Sequence, residues 1–188
     1  YMRGIFMNQS EFHYVILFSA IIFNGLGCLY LLIKNFLGYR LVLLISLVLS
    51  SILCLFFYWL GFYRFVLPVG QVLPAVAISF SLLVLITIRY RPKNHTFPFF
   101  FMTVTIIFSI EVLLKEYMGF IKFRNGWDFW DSYSLYWIYV RLFNYIGDRL
   151  VLRKYRMPIY TKTKIYWGIF ILTVVYAVFG LLYLALRK

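Results

Sequence analysis

The sequence predicts an all-α protein, a polytopic transmembrane bundle of six helices that forms one domain over residues 1–188. Three observations lead to this fold class. The chain is 64% hydrophobic and only 13% charged, whereas a soluble domain carries about 25% charged residues. Its apolar residues form long runs such as LVLLISLVLSSILCLFFYWL (41–60), which are apolar on every helical face. Short basic loops separate several of these runs.

At about 20 residues per crossing, the apolar runs divide into six helices. Thr96 is the expected N-cap of the fourth, with Pro98 in its first turn, and Asp131 or Ser132 is expected to cap the fifth. Pro74 is expected to kink the third. If the fifth helix lies along the membrane surface, five spans remain as the alternative. The six expected spans are 12–33, 41–60, 66–88, 97–117, 132–152 and 165–186.

The net charge of +13 arises from 19 Lys and Arg against six Asp and Glu. In a soluble protein this balance would suggest nucleic acid, but the sequence carries no RNA- or DNA-binding motif, so no nucleic-acid partner is expected. With six spans, the loops 34–40, 89–96 and 149–164 share one side and hold eleven basic residues, against seven on the other side. The bias places these three loops in the cytoplasm and both termini outside.

The loop RLVLRKYRMPIYTKTK (149–164) is the strongest electrostatic feature of the chain. Its basic residues are predicted to contact anionic lipid headgroups. The alternative is that they only fix the orientation of the chain in the membrane. The six residues are Arg149, Arg153, Lys154, Arg156, Lys162 and Lys164.

The fifth span carries Arg141 near its middle. On a helix, Ser134, Arg141, Tyr145 and Asp148 share a sector of roughly 60°, with Asn144 at its edge. A charged residue at the bilayer centre costs about 2.5–3.5 kcal/mol on insertion scales, so Arg141 calls for a partner or for snorkelling towards the headgroups.

Glu111, the one acidic residue deep in a predicted span, is the expected partner of Arg141. The two are predicted to form an intramembrane cluster, which Gln71, Asn144 and Tyr145 complete. A buried pair that fixes helix register is one interpretation, and a polar path for an ion, a proton or a lipid headgroup is the second. A third alternative lets Arg141 snorkel while Glu111 pairs with Lys115, four residues further along its helix.

No enzyme signature is present, so neither a catalytic residue nor a cofactor is expected. Cys28 and Cys54 lie at different predicted depths and are not expected to form a disulfide. His13 and His95 fall on opposite sides of the six-span arrangement, and no metal site is predicted.

The acidic pair Asp128 and Asp131 lies beside two tryptophans in FIKFRNGWDFWD. An aromatic anchor with a capped helix is favoured there over a cation site.

The segments WLGFYRFVLP, IEVLLKEYMGFIKFRNGWDFW and SYSLYWIYVRLFNYI together resemble a family of small, uncharacterised multi-pass membrane proteins from spore-forming Gram-positive bacteria. The resemblance covers about residues 59–150 and implies a bacterial cytoplasmic membrane, without an assigned activity. The expected partners are the lipid bilayer, a second copy of the chain or a membrane protein complex. The function predicted from the sequence is structural or partner-organising, and a small transporter or channel is the alternative. A third hypothesis is a lipid-modifying enzyme with Glu111 or Asp128 in an acid–base role.

Overall fold

The structure is a computed structural model that describes residues 9–186, apart from the side chains of residues 9, 10, 34, 181, 184 and 185. Arg3, Arg187 and Lys188, which enter the charge count, lie outside the described residues, as does the side chain of Lys34. The described chain is an all-α bundle, as the sequence predicts, with one two-stranded sheet that is not predicted from the sequence. Its helices are α1 (Gln9–Trp59), α2 (Val69–Tyr90), α3 (Thr96–Val112), α4 (Phe129–Leu150) and α5 (Lys164–Leu186), and its strands are β1 (Tyr63–Phe65) and β2 (Ile121–Phe123).

Helix α1 folds back on itself at Asn35, whose backbone leaves the helical region (φ −157°, ψ 52°). The first limb (Glu11–Ile33) and the second limb (Asn35–Trp59) therefore form an antiparallel pair. The far ends of both limbs lie against the segment that joins α3 to α4. The His13 ring contacts the Met118 carbonyl, and the Phe57 ring lies 4.9 Å from that of Trp127. The loop predicted at 34–40 is thus reduced to a turn, because the chain resumes a helix directly after Asn35.

The two ends of the bundle differ in structure. At the sheet end, β1 and β2 pair antiparallel, with Tyr63 opposite Phe123. At the basic end, the three basic loops come together: the Tyr39 hydroxyl donates to the Tyr155 carbonyl at 2.8 Å, and the Met157 N–H donates to the Arg89 carbonyl at 2.8 Å. The predicted grouping of these loops on one side of the bundle is therefore confirmed.

Several helix ends differ from the predicted positions. Asp128, and neither Asp131 nor Ser132, is the N-cap of α4: its side chain accepts from the N–H groups of Trp130 and Asp131, and the Asp131 carboxylate accepts in return from the Asp128 N–H. This reciprocal capping satisfies donors that the helix itself leaves unpaired. His95, in a left-handed conformation (φ 54°), precedes α3 in the place expected for Thr96.

Four helical segments of the described chain are long and apolar enough to cross a membrane: the two limbs of α1, then α2, and α3 with the turn that follows it. Helix α4 has 22 residues and would reach about 33 Å, but its exposed face carries Arg141 and Asp148 among apolar side chains such as Ile138. Helix α5 contains a shorter apolar segment, Lys164–Gly180. Six membrane spans therefore remain a prediction. Residues 9–186 do form six helical segments, which are the two limbs of α1 and the helices α2 to α5.

Candidate functional site

The predicted pair of Glu111 and Arg141 does not form. Glu111 is 5% exposed and faces Ser132 in the first turn of α4, whereas Arg141 is exposed. Nine residues separate Ser132 from Arg141, which corresponds to about 13 Å along the helix and half a turn around it. Among the described residues, Arg141 has no hydrogen-bond or ion-pair partner. The predicted split of α4 into two faces is correct, but the arginine lies on the face that points away from the bundle.

The other members of the predicted cluster also lie apart from Glu111. Gln71 accepts from the Tyr14 hydroxyl at 3.1 Å near the sheet end. Asn144 accepts from Arg91 at the basic end, and Tyr145 is exposed with the Arg149 guanidinium 4.3 Å from its ring centroid. The predicted cluster is therefore distributed over both ends of the bundle and both sides of α4.

Glu111 instead accepts hydrogen bonds from neutral donors on two segments, β1 and α4. The hydroxyls of Tyr63 and Ser132 each lie 3.2 Å from Oε1, and the two hydroxyl oxygens lie 2.7 Å from each other. The Trp127 indole N–H lies 3.0 Å from the Tyr63 oxygen and 2.9 Å from the Ser132 oxygen. Because the indole can only donate, the two hydroxyl hydrogens remain available for the hydrogen bond between the hydroxyls and for the carboxylate.

Burial, followed by the charge of Glu111, raises the pKa of Tyr63, so its hydroxyl keeps its proton and acts as a donor. The alternative partner, Lys115, is engaged elsewhere. Its ammonium group lies 2.6 Å from the Glu116 carboxylate and 4.1 Å from the centroid of the Phe129 ring. The buried carboxylate therefore has hydrogen-bond donors but no ion-pair partner among the described residues.

The sheet end positions these donors. Pairing of β1 with β2 brings Tyr63 beside the chain segment that carries Trp127, and the Phe62 and Trp127 rings stack 5.0 Å apart. Directly after Glu111, α3 widens into one π-helical turn, Leu113–Tyr117, a feature that is frequent at functional sites. The alternation of apolar and basic residues in YRF and IKF is compatible with short strands, but three residues are too few to predict a strand or to place Tyr63 at the site.

A partly open cavity of about 120 Å³ is lined by Glu111 and by residues of the second limb of α1, the sheet, α2 and α4. Most of its lining is aromatic or aliphatic. The second carboxylate oxygen, Oε2, is buried and has no hydrogen-bond partner, although the Tyr136 hydroxyl lies close to the carboxylate. The remaining lining residues include Ser50, Cys54, Phe57, Val76, Phe80 and Tyr139.

Towards the basic end the cavity is closed. At mid-depth the Ser46 hydroxyl lies 3.0 Å from the Tyr139 hydroxyl. One helical turn closer to the basic end, Val42, Leu85 and Phe143 are each no more than 1% exposed and belong to the same core cluster. These buried side chains close the described part of the core between the cavity and the basic end.

The basic end holds a charged cluster of its own. Arg91 contacts both oxygens of Asp148, at 2.5 and 3.0 Å, and Arg156 lies 2.7 Å from one of them. The Arg156 guanidinium also donates to the carbonyls of Gly147 and Val151. Arg156 therefore points inward, unlike the other five predicted headgroup contacts, which are exposed: Arg149, Arg153, Lys154, Lys162 and Lys164.

Within residues 9–186 there is no group of three or more His, Cys, Asp or Glu side chains that could hold a metal ion. Cys28 and Cys54 are both free, as predicted. Comparison of the chain with protein-family models, curated proteins and solved structures finds no match. The resemblance to the family from spore-forming bacteria therefore stays a prediction, and the cavity beside Glu111 is the main guide to function.

Proposed function

We propose that this chain is a multi-pass membrane protein that binds a small, largely apolar molecule in the cavity beside Glu111. The observation that carries the proposal is Glu111, which lines a cavity with a mostly apolar wall and whose Oε2 is buried without a hydrogen-bond partner. A buried polar atom without a partner is costly, and native structures retain one where it has a role.

A structural role for Glu111 is less well supported. A register-fixing ion pair needs a cation, and Arg141 is exposed on the far side of α4. A continuous pore is also disfavoured, because the core between Tyr139 and the basic end is closely packed. Binding from the sheet end, or from the surrounding lipid, agrees with both observations.

The proposal includes six crossings of a bacterial cytoplasmic membrane with the basic end in the cytoplasm. Support comes from the grouping of the three basic loops and from α4, which runs beside α3 over a comparable length. The five exposed basic residues of the 149–164 loop would then lie at anionic headgroups. The resemblance over residues 59–150 gives the bacterial setting.

Native cysteines allow a direct test of the cavity. Cys54 lines it, whereas Cys28 is buried elsewhere and donates to the Ile78 carbonyl. Two matched proteins, Cys28→Ser and Cys54→Ser, each keep one thiol, and both would be treated in mild detergent with methyl methanethiosulfonate, a small apolar reagent. We expect Cys54 to react faster than Cys28.

A variant that fills the cavity gives the control. Val76 lines the cavity from α2, and Val76→Phe in the Cys28→Ser background would occupy part of the space. We expect this variant to slow the reaction of Cys54 and to keep its elution volume on size exclusion. Equal reaction of the two native thiols, or no effect of the filling residue, would refute a cavity open to small molecules.

A further inference from the structure

The charges around the cavity determine which ligand it can accept. Glu111 is the one ionisable carboxylate in the described lining, and no Lys or Arg contributes to that lining. Lys115, the basic residue one turn further on, already contacts Glu116 and the Phe129 ring. An anionic ligand would therefore meet a carboxylate with no basic side chain to offset it, whereas a cation would supply the missing opposite charge.

Aromatic rings form much of the wall. Six rings come from strand β1 and from helices α1, α2 and α4: Phe57, Tyr63, Phe65, Phe80, Tyr136 and Tyr139. Ring faces attract cations by about 0.5–1 kcal/mol at exposed sites and ~2 kcal/mol or more where water is excluded. Aromatic walls around a single carboxylate thus favour a cation whose charged atom is surrounded by alkyl groups.

The size and the hydrogen-bonding capacity of the cavity narrow the class further. An engineered protein cavity of about 150 Å³ takes up benzene, so about 120 Å³ suits a group of similar or slightly smaller size, such as trimethylammonium. A primary ammonium has three N–H donors that need acceptors. The Ser50 hydroxyl already donates to the Ser46 carbonyl, and unpaired acceptor capacity is concentrated on Oε2 of Glu111. A quaternary ammonium needs no acceptors and makes no such demand.

Resting on the proposed function, we infer that the cavity binds a quaternary alkylammonium group, with Glu111 as its counter-ion and the six rings as its cage. The charge of the group is balanced by the carboxylate, and its methyl groups contact the aromatic wall. A free quaternary amine and the headgroup of a phosphatidylcholine lipid carry the same chemistry.

The test uses the reaction of Cys54 in the Cys28→Ser protein, in dodecyl maltoside micelles. Choline and 3,3-dimethylbutan-1-ol have the same shape, but only choline is charged. We expect choline to protect Cys54 from methyl methanethiosulfonate at a concentration about tenfold lower than the neutral alcohol, the ratio that corresponds to 1.4 kcal/mol. In Glu111→Gln, of the same size and without the charge, the two probes should differ by less than about twofold.

The outcomes separate the two proposals. Equal protection by choline and the alcohol in the protein with Glu111 intact would overturn the ammonium assignment and leave the cavity proposal standing. Protection by neither probe, while Val76→Phe still slows labelling, would do the same. If Cys54 does not react, or reacts as Cys28 does, the proposed function itself fails. Because the decisive comparison uses two probes on one protein, it does not depend on the folding of the Glu111 variant.

Reconstitution into nanodiscs distinguishes the two sources of the ammonium group, a lipid headgroup and a free amine. Protection of Cys54 in phosphatidylcholine, relative to phosphatidylglycerol and without added choline, would identify a lipid headgroup as the ligand. Protection only after choline is added would identify a free amine. Absence of protection under both conditions would overturn the inference.

Discussion

Arg141 and Glu111 should be energetically independent, and this can be measured with a double-mutant cycle. Arg141→Gln and Glu111→Gln remove one charge each, and the double variant removes both. Arg141 lies about 13 Å along α4 from Ser132, which contacts Glu111, and on the opposite face of that helix. Sites more than about 7–10 Å apart with no shared partner usually add within ~0.3–0.5 kcal/mol, so we expect a coupling energy below about 0.5 kcal/mol.

A buried ion pair would give a different result. Each single neutralisation would then cost about 3–5 kcal/mol, and the double variant would recover much of that loss. The free energy of unfolding would be measured by titrating dodecyl maltoside micelles with sodium dodecyl sulfate and following helix content by circular dichroism. A coupling energy above about 1 kcal/mol between Arg141 and Glu111 would refute the placement of Arg141 away from the bundle.

A second cycle provides the positive control for the same assay. Ser132→Ala and Glu111→Gln affect two groups whose oxygens lie 3.2 Å apart in the structure. Residues in one hydrogen-bond network couple by about 0.5–3 kcal/mol. We therefore expect measurable coupling in this cycle, and its absence would show that the network around the carboxylate is not formed in the folded protein.

Two further predictions concern the basic half of the bundle. A Cβ added at Gly147 would lie 2.7 Å from two atoms of the Ile88 side chain, so Gly147→Ala should lower stability by about 1–2 kcal/mol in the same titration, despite a better helix propensity. Gly168→Ala, with open space around it, should be neutral or gain up to ~1 kcal/mol, and equal losses in both variants would contradict the close packing of α4 on α2. Asp148→Asn should lower the free energy of unfolding by about 1 kcal/mol at low salt, because it weakens the contact with Arg156. This loss should be smaller in 1 M NaCl, and a loss that salt leaves unchanged would contradict an ionic origin.

The helices and the grouping of the loops were predictable because both depend on one-dimensional patterns. Runs of about 20 apolar residues specify crossings, and basic loops after every second run specify which ends come together. The division of α4 into two faces also followed from the sequence, since a rotation of 100° per residue separates Arg141 from Tyr139 and Phe143, but the expected pairing had turned the Arg141 face inward.

The partner of Glu111 could not be predicted, because it depends on how helices are rotated and shifted relative to each other. Arg141 is the partner expected from the sequence because it and Glu111 have similar predicted depths in the membrane. That expectation assumed that the two helices begin and end at the same levels. In the structure, α4 begins at Phe129 under an Asp128 cap, and this start brings Ser132 level with Glu111. Tyr63 lies in a segment predicted as a loop, and only its pairing with β2 brings it to the carboxylate.

The polar groups of the bundle interior are distributed unevenly along its length, and this distribution bears on the route to the cavity. Between the sheet end and mid-depth, the described core contains Glu111, the Tyr63 hydroxyl and the Ser46–Tyr139 hydrogen bond. Below mid-depth it is closed by side chains that are almost fully buried, such as Phe143. A molecule that enters from the sheet end therefore meets the carboxylate before it meets the closed core. Exchange with the basic end would require several packed helices to separate, whereas exchange with the sheet end requires movement only of the two short strands and the π-helical turn.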